Sequence, residues 1–132
     1  MRVLLDSNVW LAILTTDGFC RRTWRHARRA CQFYGSEDII SEIQEKLHTE
    51  FGFSPRHAYL MIVFVAQQIE LVEVTSVMKA CADPDDDRIL AAALDADCSL
   101  LVTGDADLLA LKKFQSIDIV TPRQFSESIP TT

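Results

Sequence analysis

The stretch SLLVTGDADLL, residues 99–109, sets the reading of the whole chain. Ser99 to Thr103 reads as an apolar strand around Leu100-Leu101-Val102, a continuous apolar run that suits burial on both faces of a parallel sheet. Gly104 turns the chain, and Asp105 to Lys112 reads as a short helix. The amino-terminal end has the same grammar. Val3-Leu4-Leu5 is a second such run, Asp6 closes it, and Ser7 caps a helix to about Thr16, ended by Asp17-Gly18. Asp6 and Asp105 therefore both sit at carboxyl ends of apolar strands.

Outward from these units the pattern repeats. Phe19 to Ala30 reads as a second helix and Cys31 to Gly35 as a weak strand. Ser36 caps a helix over 37–50, which Gly52 breaks. Ser54-Pro55 opens another helix, with Pro in its first turn. Glu70 to Val74 is a strand, and Val77 to Cys81 is ambiguous. Asp83-Pro84 starts a helix to about Asp95, Ile117 to Val120 is the last strand, and Thr121-Pro122 opens a terminal helical turn. Strands alternating with helices predict a three-layer α/β/α sandwich around a central, mainly parallel sheet, with right-handed crossovers. In that architecture ligands gather at the carboxyl ends of the strands.

Bulk properties narrow the class. The 132 residues predict a single domain, 1–132, and 48% hydrophobic with 24% charged residues is ordinary for a globular protein. The longest apolar run, Tyr59 to Ala66, falls far short of the ~20 residues of a membrane helix. The opening MRVLLDSNVW does not read as a signal peptide, so the expected compartment is the cytoplasm. Cys20, Cys31, Cys81 and Cys98 form no CxxC and no metal spacing with the three His, as expected of reduced thiols. A net charge of −6 argues against polyanion binding through bulk charge and leaves room for a local basic face.

The run CADPDDDRIL, residues 81–90, packs four Asp into five positions. One cap needs one of them. With Asp83 as cap, successive side chains rotate by about 100°. Asp86 then has Ile89 and Leu90 at i+3 and i+4, which centres it over the buried stripe. Asp85 and Asp87 are left to a water-mediated role or to solvent. In the helix after Ser36, Ile39, Ile40, Ile43 and Leu47 share one face. Glu42 lies at its edge, Glu37 is a weaker edge candidate, and Glu45 points away. By residue pattern alone Glu42 is a solvated side chain, and Asp6 and Asp105 are equally well read as helix caps.

The basic face lies in CRRTWRHARRACQ. Arg21, Arg22, Arg25, Arg28 and Arg29 fall within roughly a third of a helix circumference. Such a face can hold RNA phosphates, dock an acidic partner segment, or simply be solvated. Trp24 reads as packing, and His26, His48 and His57 as surface residues. Met61, Phe64 and Val65 read as core or as a dimer face.

LLDSNVW, SEDIISEIQEKL, DPDDDRILAAAL and LVTGDADLL, in that order, resemble the PIN domain, and more narrowly its toxin components of toxin–antitoxin pairs. The closing IVTPRQF is similar too, so the likeness runs from Val3 to Phe125. It implies a metal-dependent endoribonuclease with RNA as substrate and a cognate antitoxin as partner. It places the acid roles on Asp6, Glu42, Asp86 and Asp105, with Asn8 and Thr103 in support and Asp87 as an alternative to Asp86. Hydrolysis of a phosphodiester needs an activated water and relief of phosphoryl charge. Converging carboxylates without His or Cys fit Mg²⁺ or Mn²⁺ better than Zn²⁺. Asp6, Asp86 and Asp105 are then the expected ligands, direct or through water, with Glu42 orienting a water or a second ion. Two readings compete. A receiver-like signalling module expects an acid pair in the first loop and a Lys after a late strand, where this chain has Asp-Ser-Asn and Gly-Asp. A PIN fold kept only for binding would have no need of all four acids.

Overall fold

The computed structural model describes residues 1–129. In chain order the elements are β1 (Arg2–Leu5), α1 (Ser7–Thr15), α2 (Phe19–Ala27), β2 (Gln32–Gly35), α3 (Glu37–Thr49), α4 (Pro55–Gln68), β3 (Ile69–Leu71), α5 (Pro84–Asp95), β4 (Leu100–Val102), α6 (Ala106–Leu111), β5 (Lys113–Phe114), β6 (Ile117–Val120) and α7 (Pro122–Ser128). The six strands form one sheet in the order β3-β2-β1-β4-β6-β5. Every pairing is parallel except β5 with β6. This is the mixed α/β architecture, with a mainly parallel central sheet, that the strand–helix alternation predicts.

The two apolar runs are the central strands. Val3, Leu4, Leu5, Leu101 and Val102 are essentially inaccessible, as strands covered on both faces must be. Their register pairs Leu5 with Val102, so both strands stop at one level. The Asp6 N–H still donates to the Val102 carbonyl (2.9 Å) and the Thr103 N–H to the Val120 carbonyl (3.0 Å). Beyond these bonds the chain leaves the sheet, and the next side chains form its carboxyl rim.

Several boundaries differ from expectation, each for a local reason. α2 stops at Ala27, and residues 28–30 form a turn. The chain must double back there because Gln32 joins the sheet, its N–H donating to the Met1 carbonyl (2.8 Å). Arg28 and Arg29 therefore lie beyond the helix. β3 is Ile69–Leu71 rather than 70–74, because β2 ends at Gly35 and offers no partner past the Val72 N–H. The β5–β6 hairpin was not legible: its turn residues, Gln115 and Ser116, carry no Asn-Gly or Asp-Gly signal, although Gln115 takes a φ of 53°. All four cysteines are free. Trp24 is buried against Trp10 and Phe64, Val65 lies in the core, and Phe64 is part exposed. His48 is exposed but has a partner, its Nδ1 lying 2.8 Å from the Phe53 carbonyl oxygen. No helix among the described residues is long and apolar enough to cross a membrane.

Leu101, with no exposed surface in β4, tests this core. Leu101→Ala is expected to lower the unfolding free energy by roughly 3 kcal/mol in urea titrations. Leu60→Ala, at a half-exposed α4 position, should stay within about 0.5 kcal/mol of wild type.

Candidate functional site

The rim collects acids from four separate segments. Asp6 caps α1 and is buried; its Oδ1 accepts from the Ser7 N–H (2.7 Å) and its Oδ2 from the Thr103 hydroxyl (2.8 Å). The same hydroxyl accepts from the Asp105 N–H at 3.0 Å, so Thr103 ties the two strand ends together. Asn8 adds a third tie, its Oδ1 accepting from the Gly104 N–H at 3.3 Å. Asp105 caps α6 by accepting from the Asp107 N–H at 2.8 Å. Capping a helix and standing at the rim are not rivals here: Asp6 and Asp105 do both.

From α5 comes Asp86, buried in the first turn as the helical rotation predicts. One oxygen from each of Asp86, Asp105 and Asp107 lies within 4.8 Å of the others. Asp107 belongs to this group; the sequence left its role open and placed no acid role on it. Its signal was the Gly-Asp-Ala-Asp spacing, which puts a second acid in the first turn of α6. Asp6 stands beside the trio, close enough for its charge to act on Asp86. The run in α5 separates by function. Asp83 is the cap, accepting from the Asp85 N–H at 2.9 Å, and Asp85 is exposed. Asp87 is buried but turned elsewhere: its Oδ1 accepts the N–H groups of Ala80 (2.9 Å) and Cys81 (2.8 Å).

Glu42, on α3, reaches the same region and pairs with Lys46 one turn on, at 3.0 Å. Its charge acts on Asp6, and that of Asp6 on Lys46. Lys46 is thus a cation beside the acids that sequence reasoning missed; as i+4 from Glu42 it looked like an ordinary surface pair. An open groove between α3 and α5 continues from here, lined by Ser36, Glu42, Lys46, Asp85 and Arg88.

The arginines take a different place. Arg21 is committed to the end of α1, its Nε donating to the Ile13 carbonyl (2.7 Å) and a terminal nitrogen to that of Leu14 (3.1 Å). Arg28 lies over the Trp24 ring. Arg25, Arg28 and Arg29, with His26 and Phe64, line a cleft against Trp24. Ala30 accepts from the chain's first amino group, so this end of the basic face lies at the amino edge of the sheet. It sits a strand's length from Asp6, and the fold does not bring Arg28 and Arg29 to the acids. Arg22 is exposed on α2.

Residues 2–107 match the family model described as PIN domain, and the chain belongs to that family. No curated protein matches the chain in sequence. Among solved structures, the chain is similar to one in the VapBC2 complex of Rickettsia felis bound to a DNA fragment from its promoter. That match has a TM-score of 0.67 at 10% identity and covers 92% of this chain and 98% of the other. PAE2754 from Pyrobaculum aerophilum matches with a TM-score of 0.66 at 18% identity, covering 96% and 88%. Mycobacterium tuberculosis VapC20, described as a Sarcin-Ricin loop cleaving toxin, matches with 0.62 at 12% identity, covering 88% and 98%. At these identities the likeness is one of fold.

Crowding has an electrostatic cost. Asp86 is pushed up to about 6, first by burial, then by the charge of Asp105, with Asp83 and Asp6 adding to it. Burial also raises Asp6, against the hydrogen bonds from Thr103 and Ser7 that favour its charge. Cys81 lies close enough to Asp87, Asp86 and Asp105 to feel their charges; with burial as the larger cause, its thiol is pushed up to about 11. Between 3.8, the ordinary value, and about 6, the unfolded chain has released the Asp86 proton while the folded chain still holds it. Stability therefore falls as pH rises through that window, by an upper limit of about 3 kcal/mol. The metal-free protein is expected to melt at lower temperature at pH 7 than at pH 5 by scanning calorimetry. In Asp86→Asn that pH dependence should shrink and the pH 7 melting temperature should rise.

Proposed function

We propose that this protein is a metal-dependent endoribonuclease that hydrolyses RNA phosphodiester bonds, working in the cytoplasm as the toxin of a toxin–antitoxin pair. The supporting observation is the group of Asp86, Asp105 and Asp107 at the carboxyl rim of a PIN-family sheet, with Asp6 and Glu42 beside it. The toxin and antitoxin part draws on the VapBC2 and VapC20 structures.

The donor set fits a hard divalent cation. All the converging atoms are carboxylate oxygens, and Mg²⁺ or Mn²⁺ takes oxygen ligands. One oxygen from each of Asp86, Asp105 and Asp107 lies within 4.8 Å of the others, a spacing at which the three would be able to share one cation. When bound, such a cation lowers the pKa of its water and offsets phosphoryl charge. The chain's own residues do the rest. Asp86 and Asp105 hold the cation, Asp107 adds an exposed carboxylate, and Asp6 takes part directly or through water. Thr103 and Ser7 fix the rotamer of Asp6. Glu42 orients a water or a second ion, and Lys46 holds that carboxylate in place by pairing with it at 3.0 Å. Asn8 fixes the Gly104 turn that carries Asp105. Arg22, Arg25, Arg28 and Arg29 are the cations available to RNA phosphates or to an acidic antitoxin segment, and a second copy of the chain remains a further candidate partner.

Purified chain assayed on a fluorogenic RNA should cleave with Mn²⁺ and stop with EDTA. Asp6→Asn and Asp105→Asn should each lose roughly 10²-fold or more of that activity while keeping the wild-type melting temperature or exceeding it. Equal cleavage by wild type and both variants would mean a contaminating nuclease and would end the proposal.

The basic face makes a separate expectation. Replacing Arg25, Arg28 and Arg29 together by Ala should weaken RNA or antitoxin binding more at low salt than at high salt. Unchanged binding at both would leave this face merely solvated.

A further inference from the structure

Between β3 and α5 lies a connection, residues 72–82, without ladder partners of its own. It is nonetheless ordered in a regular way. Val72, Val74, Ser76 and Met78 are half-buried, while Glu73, Thr75, Val77 and Lys79 are exposed. That period of two marks an extended segment with one side against the protein. Val72, Val74 and Met78 pack on the hydrophobic core.

Two carboxylates of α5 fasten it. Asp95 accepts the N–H groups of Thr75 (2.7 Å) and Ser76 (2.9 Å) and also the Ser76 hydroxyl. Asp87 accepts the N–H groups of Ala80 and Cys81. The two acids stand eight positions apart on the helix, about 12 Å along the axis. The four steps from Ser76 to Ala80 reach at most about 14 Å when fully extended. The segment is therefore a strap pinned to α5 at two places, and Asp87 sets where its far end lies. That far end is Cys81, beside Asp86 and Asp105.

We infer that Asp87 is a positioning residue and not a metal ligand: its carboxylate pins Ala80 and Cys81 of the strap to α5 and thereby fixes the wall beside Asp86 and Asp105. The inference rests on the nuclease reading of those neighbouring acids. Two charge-assisted N–H bonds to one oxygen hold the Asp87 carboxylate in its rotamer.

Asparagine separates the two roles, because its side-chain oxygen can still accept both N–H groups but ligates a cation poorly. The test uses the full chain, stripped of metal. Mn²⁺ affinity is measured by titration calorimetry, and amide exchange at Ala80 and Cys81 by NMR, for wild type, Asp86→Asn, Asp87→Asn and Asp87→Ala. Asp86→Asn should lose Mn²⁺ affinity by about tenfold or more. Asp87→Asn should stay within about threefold of wild type in Mn²⁺ affinity. Asp87→Ala should speed exchange at both amides by about tenfold or more and weaken Mn²⁺ binding, and Asp87→Asn should rescue both. Mn²⁺ binding lost in Asp87→Asn as fully as in Asp86→Asn overturns the inference. So does unchanged exchange at the two amides in Asp87→Ala. Should Asp87→Ala fail to fold, Asp87→Asn decides alone. A wild type that binds no Mn²⁺ and cleaves no RNA sinks the nuclease reading instead, and the exchange comparison then still decides the clamp.

Discussion

Leu5 pairs with Val102 across the centre of the sheet, and that register is the constraint from which the site follows. It stops two buried strands at one level and delivers their next residues, Asp6 and Thr103, into hydrogen-bonding contact over a sequence separation of 97. The apolar strands enforce it: slipping either by one residue would bring polar groups into a doubly covered layer. Core burial thus positions the rim chemistry. Thr103 converts the register into geometry, because one hydroxyl binds the Asp6 carboxylate and the Asp105 backbone together.

The price of that convergence is a set of carboxylates that repel one another in a half-dry setting. The fold spreads the cost over several partners. Asp6 has a hydroxyl and a backbone N–H, Glu42 has Lys46, and Asp87 has two backbone N–H groups. Asp86 has no such donor among the described residues, and burial with the neighbouring charges pushes its carboxyl up to about 6. A group left dissatisfied in the middle of satisfied neighbours is typical of sites where stability has been exchanged for chemistry.

How much of this could be read from the residues alone differs from element to element. The central strands were legible because continuous apolar runs have few alternatives, and Ser36, Ser54 and Asp83 announced their helices by cap chemistry. Helical rotation picked Asp86 out of the acidic run, since Ile89 and Leu90 mark the inward side. The role of Asp87 was not legible: it depends on backbone donors at Ala80 and Cys81, in a segment whose conformation carries no periodic core signal of helical type. Lys46 was hidden for a related reason, looking like a common surface residue until tertiary packing gave it neighbours, and the Gly-Asp-Ala-Asp spacing marked Asp107 without assigning it a role. The arginines showed the opposite error. A helical wheel groups Arg28 and Arg29 with Arg21, but the helix ends before them, and Arg21 is occupied with α1.

The outermost strands have one more effect. β3 contributes three residues and β5 only two, one of them the exposed Lys113. Edges this short, one bearing a charge, are poor templates for another chain to extend the sheet. The molecule is thereby guarded against edge-to-edge aggregation, and any lasting association must be made through helices and loops, where side chains rather than backbone groups choose the companion.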